Sequence, residues 1–366
     1  MGLRDSVMIR LFAAALILAG SAAAATGCSD SENGTAVPPA GGIDRGTSVP
    51  AAGNERVKIA QFNDLPGYAP EAFPDSVVAA SGNLWVTVGE DQDYGRDSVV
   101  AVATSGKRMK IFRARNNYIE FDDITAGSDG ALWMTDAYNS EIVRMTLQGA
   151  FKFYPVPRAE PYNMAAGPDK ALWFTAAAGS NGAIGRITTS GKVTIFAAPA
   201  STEDIATGSD GALWFTEPYV NRIGRITTSG QITEYSEGIT AQPNSVALGP
   251  DGAMWFTENA GAGGITAAGP GIIGRITTAG QVTEYVHGIT AQLLSEIAEG
   301  PDRAMWFTES NVNSLAKIGR ISKDGTITEY SANLDSNADP TGIAAGPDGN
   351  MWFAETGTDK MGRVKL

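Results

Sequence analysis

The sequence predicts an all-β fold, a seven-bladed β-propeller made of four-stranded antiparallel blades. Three observations carry that expectation. The chain contains seven tryptophans, Trp85, Trp133, Trp173, Trp214, Trp255, Trp306 and Trp352. By subtraction of those numbers they stand 48, 40, 41, 41, 51 and 46 residues apart, each in the same slot of one recurring unit. A period of about forty residues whose units read as strands fits propeller blades rather than a helical solenoid. Finally, the last unit stops at Leu366 without a fourth strand, while Val57-Lys-Ile-Ala-Gln-Phe62 repeats a fourth strand and nothing else. The N-terminal strand is therefore expected to close the last blade, which removes an open sheet edge.

Taken in order, the chain begins with a targeting segment. Arg4 and Arg10 precede the apolar run Leu11 to Ala19, and small residues follow to Gly27. Such a run marks export and is too short for a stable membrane span. Ala25-Thr-Gly-Cys28 resembles the bacterial lipoprotein cleavage motif, in which the cysteine becomes the lipidated first residue. The expectation is a lipoprotein signal over 1–27 and a protein anchored through Cys28 to the bacterial envelope, outside the cytoplasm. The plainer alternative is a secretory signal with an incidental thiol. With one cysteine, no intrachain disulfide can form. Residues 28–55 are rich in Gly, Pro, Ala, Ser and Thr, the composition of a flexible tether, and 56–366 form the propeller. A formal charge of −13 argues against nucleic acid or anionic lipid as ligand and favours cations. A monomer is expected.

The fourth unit shows the internal plan. Ile205-Ala-Thr runs into Gly208-Ser-Asp-Gly211, whose Asp-Gly signals a tight turn. Ala212-Leu-Trp-Phe-Thr-Glu217 then reads as a half-buried strand. Ile223-Gly-Arg-Ile-Thr227 supplies the third strand and Ile232-Thr-Glu-Tyr235 the fourth. Seven equivalent tryptophans are expected to pack between neighbouring blades. The repeated Arg of the Gly-Arg pair is read as a structural contact between blades.

Antiparallel strands place the Asp-Gly turns at one end of each blade. The residues entering the first strands lie at the other end, which forms a mouth. The latter are Asp75, Asp122-Asp123, Tyr162-Asn163, Glu203-Asp204, Asn244-Ser245, Ser295-Glu296 and Asp339-Pro-Thr341. Second strands end at that mouth in Asp136, Glu217, Glu258, Glu309 and Glu355. Crowded carboxylates recruit a cation or raise one another's pKa, so Mg²⁺ or Ca²⁺ is a candidate cofactor. The alternative for the recurring Glu217, Glu258 and Glu309 is a solvated acidic rim. The loop Glu90 to Asp97 has Asp91, Asp93 and Asp97 in loose calcium-loop spacing, with a plain acidic turn as the alternative. The Gly-rich loop Ala260 to Gly271 is expected to act as a lid.

The units Leu-Trp-Phe-Thr-Glu, Ile-Gly-Arg-Ile-Thr-Thr-Ser-Gly and Ile-Thr-Glu-Tyr resemble the virginiamycin B lyase (streptogramin lyase) family from about Val57 to Leu366. That resemblance implies the propeller, together with Mg²⁺-assisted elimination that opens a cyclic depsipeptide. It implies catalytic histidines entering the first strands of the last blades, with acidic residues beside them. Here Thr341 and Ser295 stand at those histidine positions, while Asp339, Glu355 and Glu296 remain as metal-ligand candidates. Neither Thr nor Ser removes a proton at neutral pH without a base of its own. The one histidine, His287, falls at the outer end of a fourth strand. It is expected to be an exposed loop residue, with a displaced base as the alternative. Tyr162, Glu203, Asn244, Ser295 and Thr341 are the ligand-binding candidates. The sequence thus yields two readings: a non-catalytic member that binds a small molecule, cation or protein at the mouth, or a lyase with an unorthodox base.

Overall fold

The computed structural model describes residues 57–62, 72–90, 97–114, 118–259, 269–310 and 316–366. The signal, the tether, Cys28, Asp91 and Asp93, and most of the expected lid lie outside the described residues.

Seven four-stranded antiparallel sheets are formed. Blade four comprises Ile205–Thr207, Leu213–Glu217, Arg222–Ile226 and Ile232–Tyr235, the strands expected from its repeat. Blade seven consists of Pro340–Ala345, Met351–Glu355, Lys360–Lys365 and, as its outer strand, Lys58–Phe62. Lys58 pairs with Lys365 and Phe62 with Met361, so strands almost three hundred residues apart share one ladder. Among the described residues no helix is long and apolar enough to cross a membrane.

The second strands differ from the half-buried expectation, since all five residues of Leu213–Glu217 are buried. Each blade is covered on both sides. Trp214 packs with Val246, Met254 and Phe256 of blade five, while Leu213 and Phe215 pack with Trp173 and Ile184 of blade three. An apolar residue on either face is therefore core, which is why alternation in the sequence is weak here.

The turn aspartate organises the far end of each blade. Asp210 Oδ1 accepts the Trp214 Nε1–H at 3.2 Å, and Oδ2 accepts Arg225 Nε–H at 2.6 Å. The same set recurs as Asp129–Trp133–Arg144, Asp169–Trp173–Arg186, Asp251–Trp255–Arg275 and Asp302–Trp306–Arg320. In these five blades the repeated arginine is thus tied within its own blade, correcting the inter-blade expectation there, whereas Arg363 of blade seven donates to the Thr104 carbonyl of blade one at 3.0 Å. Its guanidinium also lies over the tryptophan face, at 5.9 Å from the Trp214 centroid, a favourable cation–π position. Tyr235 also stacks on Trp214, with ring centroids 5.4 Å apart.

The glycine of each Gly-Arg pair has a steric cause. A Cβ on Gly274 would stand 2.2 Å from the Phe256 ring and 2.8 Å from Glu258 Oε1. The second-strand side chains cross the third strand at that point, so only a hydrogen fits.

Candidate ligand site at the propeller mouth

The site is made by a bulge repeated around the ring. In blade two Phe121 pairs with Asp136 and Ile124 with Met134, leaving Asp122 and Asp123 opposite Thr135 alone. Blades one, three, five, six and seven slip at the same place, between Pro74 and Val77, Pro161 and Met164, Pro243 and Val246, Leu294 and Ile297, and Pro340 and Ile343. A regular strand would send two successive side chains to opposite faces. The bulge re-aims both, so that Asp122 and Asp123 each line the channel.

The opposing threonine stitches the ring. Thr216 Oγ1 accepts the Asp204 N–H at 2.9 Å and donates to the Asn244 carbonyl of the next blade at 2.9 Å. Thr175, Thr257 and Thr308 donate in the same way to Glu203, Ser295 and Thr341 carbonyls. At the seam between blades seven and one this slot is Ala354. There Thr356 Oγ1 bonds to the Pro74 carbonyl at 2.9 Å, and Thr341 Oγ1 lies 3.1 Å from the Asp75 carbonyl and 2.9 Å from Thr356 Oγ1. Thr341 is therefore part of the ring closure.

The channel opens into a cavity of about 230 Å³. Among the described residues its wall carries the carboxyls of Asp75, Asp122, Asp123, Glu203, Asp204 and Glu296, and no Lys, Arg or His. Asp123 accepts Ser76 Oγ–H at 2.7 Å and the Met164 N–H at 2.8 Å. Asp204 accepts Ser245 Oγ–H and the Val246 N–H, both at 2.8 Å, and Glu296 accepts the Ile343 N–H at 2.7 Å. Each of these carboxyls thus reaches across a blade junction.

Burial, together with like charge, shifts this group upward. Desolvation and then the charges of Asp123 and Asp204 hold Glu296 well above the usual carboxylate range. Desolvation pushes Asp204 up to about 6 against its three hydrogen bonds. Desolvation and the Asp204 charge push Glu203 up to about 7, an effect blunted by the solvent that still reaches its outer edge. Burial, then the charges of Glu160, Asp122 and Glu203, push the Tyr162 hydroxyl up to about 12.

Of the expected ligand-binding residues, Glu203, Asn244, Ser295 and Thr341 line this cavity, while at Tyr162 it is the neighbouring Asn163 that does so. Asp123 and Asp204 are the strongest additions. Their signal in the sequence is the second column of a two-residue insert preceding the first apolar residue of each blade.

The metal-ligand candidates do not converge. Glu296 faces the channel and Asp339 is exposed, whereas Glu355 is fully buried and accepts Gln61 Nε2–H at 2.6 Å and Thr358 Oγ1–H at 2.9 Å. Among the described residues no group of three His, Cys, Asp or Glu could hold a metal ion. The Asp339–Glu355–Glu296 set therefore does not fit Mg²⁺ or Ca²⁺. Glu217, Glu258 and Glu309 are likewise buried away from the mouth, which corrects the expectation of a solvated acidic rim. Their odd position in the second strand turns them toward the preceding blade rather than inward. His287 is exposed beyond the fourth strand of blade five and does not line the cavity.

Comparison with known proteins places these features. The model of the virginiamycin B lyase family matches residues 60–269 and 205–366. A catalytically inactive histidine-to-alanine variant of virginiamycin B lyase from Staphylococcus aureus, solved with quinupristin, is 32% identical with a TM-score of 0.71. That match covers 85% of this chain and 99% of the other. A streptogramin B lyase structure is 31% identical with a TM-score of 0.72, covering 85% of this chain and 98% of that one. The WD40 propeller domain of Doa1, at 12% identity and a TM-score of 0.61, shares the fold alone over 83% of this chain and 94% of its own. No curated protein matches the chain.

Proposed function

This chain belongs to the virginiamycin B lyase family, and from that premise we propose that it is an exported, lipid-anchored binding protein for a small organic cation. The ligand sits in the acidic mouth, and the family's elimination is not performed. One observation carries the reading: among the described residues, six carboxyls share one cavity wall that has no basic side chain. A cation there relieves their mutual repulsion and draws the raised pKa values of Asp123, Glu203, Asp204 and Glu296 back down. Ser76, Asn163, Asn244, Ser245 and Ser295 add neutral polar groups that can orient it.

Loss of the reaction follows from the residues at the histidine positions. Thr341 and Ser295 are not bases, and the Thr341 hydroxyl is engaged with Thr356 and the Asp75 carbonyl. Export and anchoring rest on the segment ending in Thr26-Gly27-Cys28.

The lyase is the second reading, favoured by 32% identity over 99% of a virginiamycin B lyase. Incubation with quinupristin and Mg²⁺, followed by mass analysis, separates the two. The binding reading expects intact quinupristin, and a linear product would refute it. Calorimetric titration with spermidine tests the mouth. Binding is expected for the native chain and at least tenfold weaker binding for Asp204→Asn with Glu203→Gln. Equal binding by both proteins would remove the mouth as the site. Anchoring predicts that Cys28→Ser moves the protein from the membrane fraction to the soluble one.

A further inference from the structure

The recurring glutamates outside the mouth form a second set of groups that the binding reading does not use. Glu217, Glu258 and Glu309 lie in the last two positions of the second strands of blades four, five and six, each at most 1% exposed. Among the described residues no donor makes a well-formed hydrogen bond to either carboxyl oxygen of Glu217 or Glu309 or to Oε1 of Glu258, although the Ala200 backbone N–H approaches Glu217. What each meets instead is a second carboxyl. Glu217 lies at hydrogen-bonding range of Glu234, Glu258 of Glu284 and Glu309 of Glu329, the partners coming from the fourth strands. Two carboxylates have no hydrogen to share, and a buried charge repels a half-buried one strongly at that range.

Blade seven shows how the arrangement is completed. Gln61 occupies its fourth-strand slot, pairing with Gly362 as Glu234 pairs with Gly224, Glu284 with Gly274 and Glu329 with Gly319. The Gln61 amide donates the missing hydrogen to Glu355 at 2.6 Å. A protonated carboxyl has the shape and donor of that amide. We infer that Glu217–Glu234, Glu258–Glu284 and Glu309–Glu329 each hold one shared proton at neutral pH, and that losing these protons loosens three consecutive blade junctions.

The surroundings agree. Burial and then the neighbouring glutamate push Glu258 and Glu309 up to about 9 and Glu217 up to about 8. Arg222 faces the first pair and Lys317 the third, but Ile272 takes that cross-strand place beside Glu258. Among the described residues the cations facing the three pairs are thus Arg222 and Lys317, and none faces the middle pair, which has the backbone and hydroxyl donors of Thr240 and Ala241. Thr240 and Thr290 sit on the segments linking consecutive blades and bond through both N–H and Oγ1 to Glu284 and Glu329. Ionising a pair therefore acts on the joint between blades.

For these raised carboxyls the folded protein binds more protons than the unfolded chain. Their stabilisation is complete below the ordinary glutamate value of 4.5 and is lost as pH rises to about 9. The test compares thermal unfolding midpoints from about pH 6 to about pH 10 for the native chain and the triple variant Glu234→Gln, Glu284→Gln, Glu329→Gln. The native midpoint is expected to fall steeply across that range, and that of the variant much less. Infrared difference spectra at neutral pH should show that the variant has lost absorbance from protonated carboxyls. Gln61→Glu, which builds a fourth pair, should steepen the fall, and it keeps the test alive if the triple variant fails to fold. A variant midpoint that falls as steeply as the native one, an unchanged infrared band, or a Gln61→Glu profile identical to native would each overturn the inference.

Discussion

Replacing Asp210 with alanine tests the turn that anchors each blade. The carboxylate serves three donors at once: Trp214 Nε1 at 3.2 Å, Arg225 Nε at 2.6 Å and the Ala212 N–H at 3.2 Å. Trp214 is fully buried, so its indole N–H would be left without an acceptor, which costs about 1–3 kcal/mol. The ion pair has side chains 22% and 18% exposed, so solvent screening reduces its share to about 1 kcal/mol. Asp210→Ala should therefore destabilise by about 2–4 kcal/mol. Asp210→Asn keeps the acceptor for the indole and should lose only about 1 kcal/mol. Urea unfolding followed by tryptophan fluorescence gives both numbers, provided the slope with denaturant is unchanged. A cost below about 0.5 kcal/mol for the alanine variant would mean that the aspartate is not what holds the tryptophan. Blade one supplies a natural comparison, because Trp85 Nε1 donates to the Ala80 carbonyl at 3.1 Å and the arginine slot is Ala101.

Further outcomes follow from the same geometry. Burial raises the Asp210 pKa, but the hydrogen bonds from Arg225 and Trp214 lower it more, so its contribution is present above the ordinary aspartate value of 3.8 and lost below it. With the glutamate pairs failing at high pH, midpoints measured against pH should fall on both the acid and the alkaline side; a curve without an acid limb would contradict the aspartate argument. Gly274→Ala places a methyl 2.2 Å from the Phe256 ring and should cost about 1–3 kcal/mol by overpacking, read from the urea midpoint. Thr216→Val removes the acceptor of the Asp204 N–H and the bond to the Asn244 carbonyl, and a loss of about 1–3 kcal/mol is expected in the same assay. Thr341→His restores an imidazole where the family resemblance places one. Linear quinupristin detected by mass with this variant, and not with the native chain, would identify that position as the one whose residue decides whether the reaction occurs.

Much of the architecture was legible because a propeller repeats its local pattern. The tryptophan spacing, the Asp-Gly turns and the orphan strand Val57 to Phe62 announced seven blades and their closure without any knowledge of distant contacts. The site was legible only as a column of polar residues before each first strand. Strand alternation would have sent Asp122 inward and Asp123 outward, or the reverse. Alternation likewise said nothing of where Glu258 points, and a solvated rim was the natural reading.

By itself, then, the chain determined whatever depends on neighbours in sequence: strand lengths, turn positions, the number of units and the aromatic slot in each. Tertiary structure decided whatever depends on register and on the facing blade. The bulge opposite each threonine brought both residues of a pair into the channel. The crossing of Phe256 and Glu258 over Gly274 carried a buried carboxyl to Glu284. The turn aspartate claimed the repeated arginine for its own blade. Each of these follows from packing one sheet against another, and the energy of that packing is set by residues too far apart in the chain for a local pattern to record.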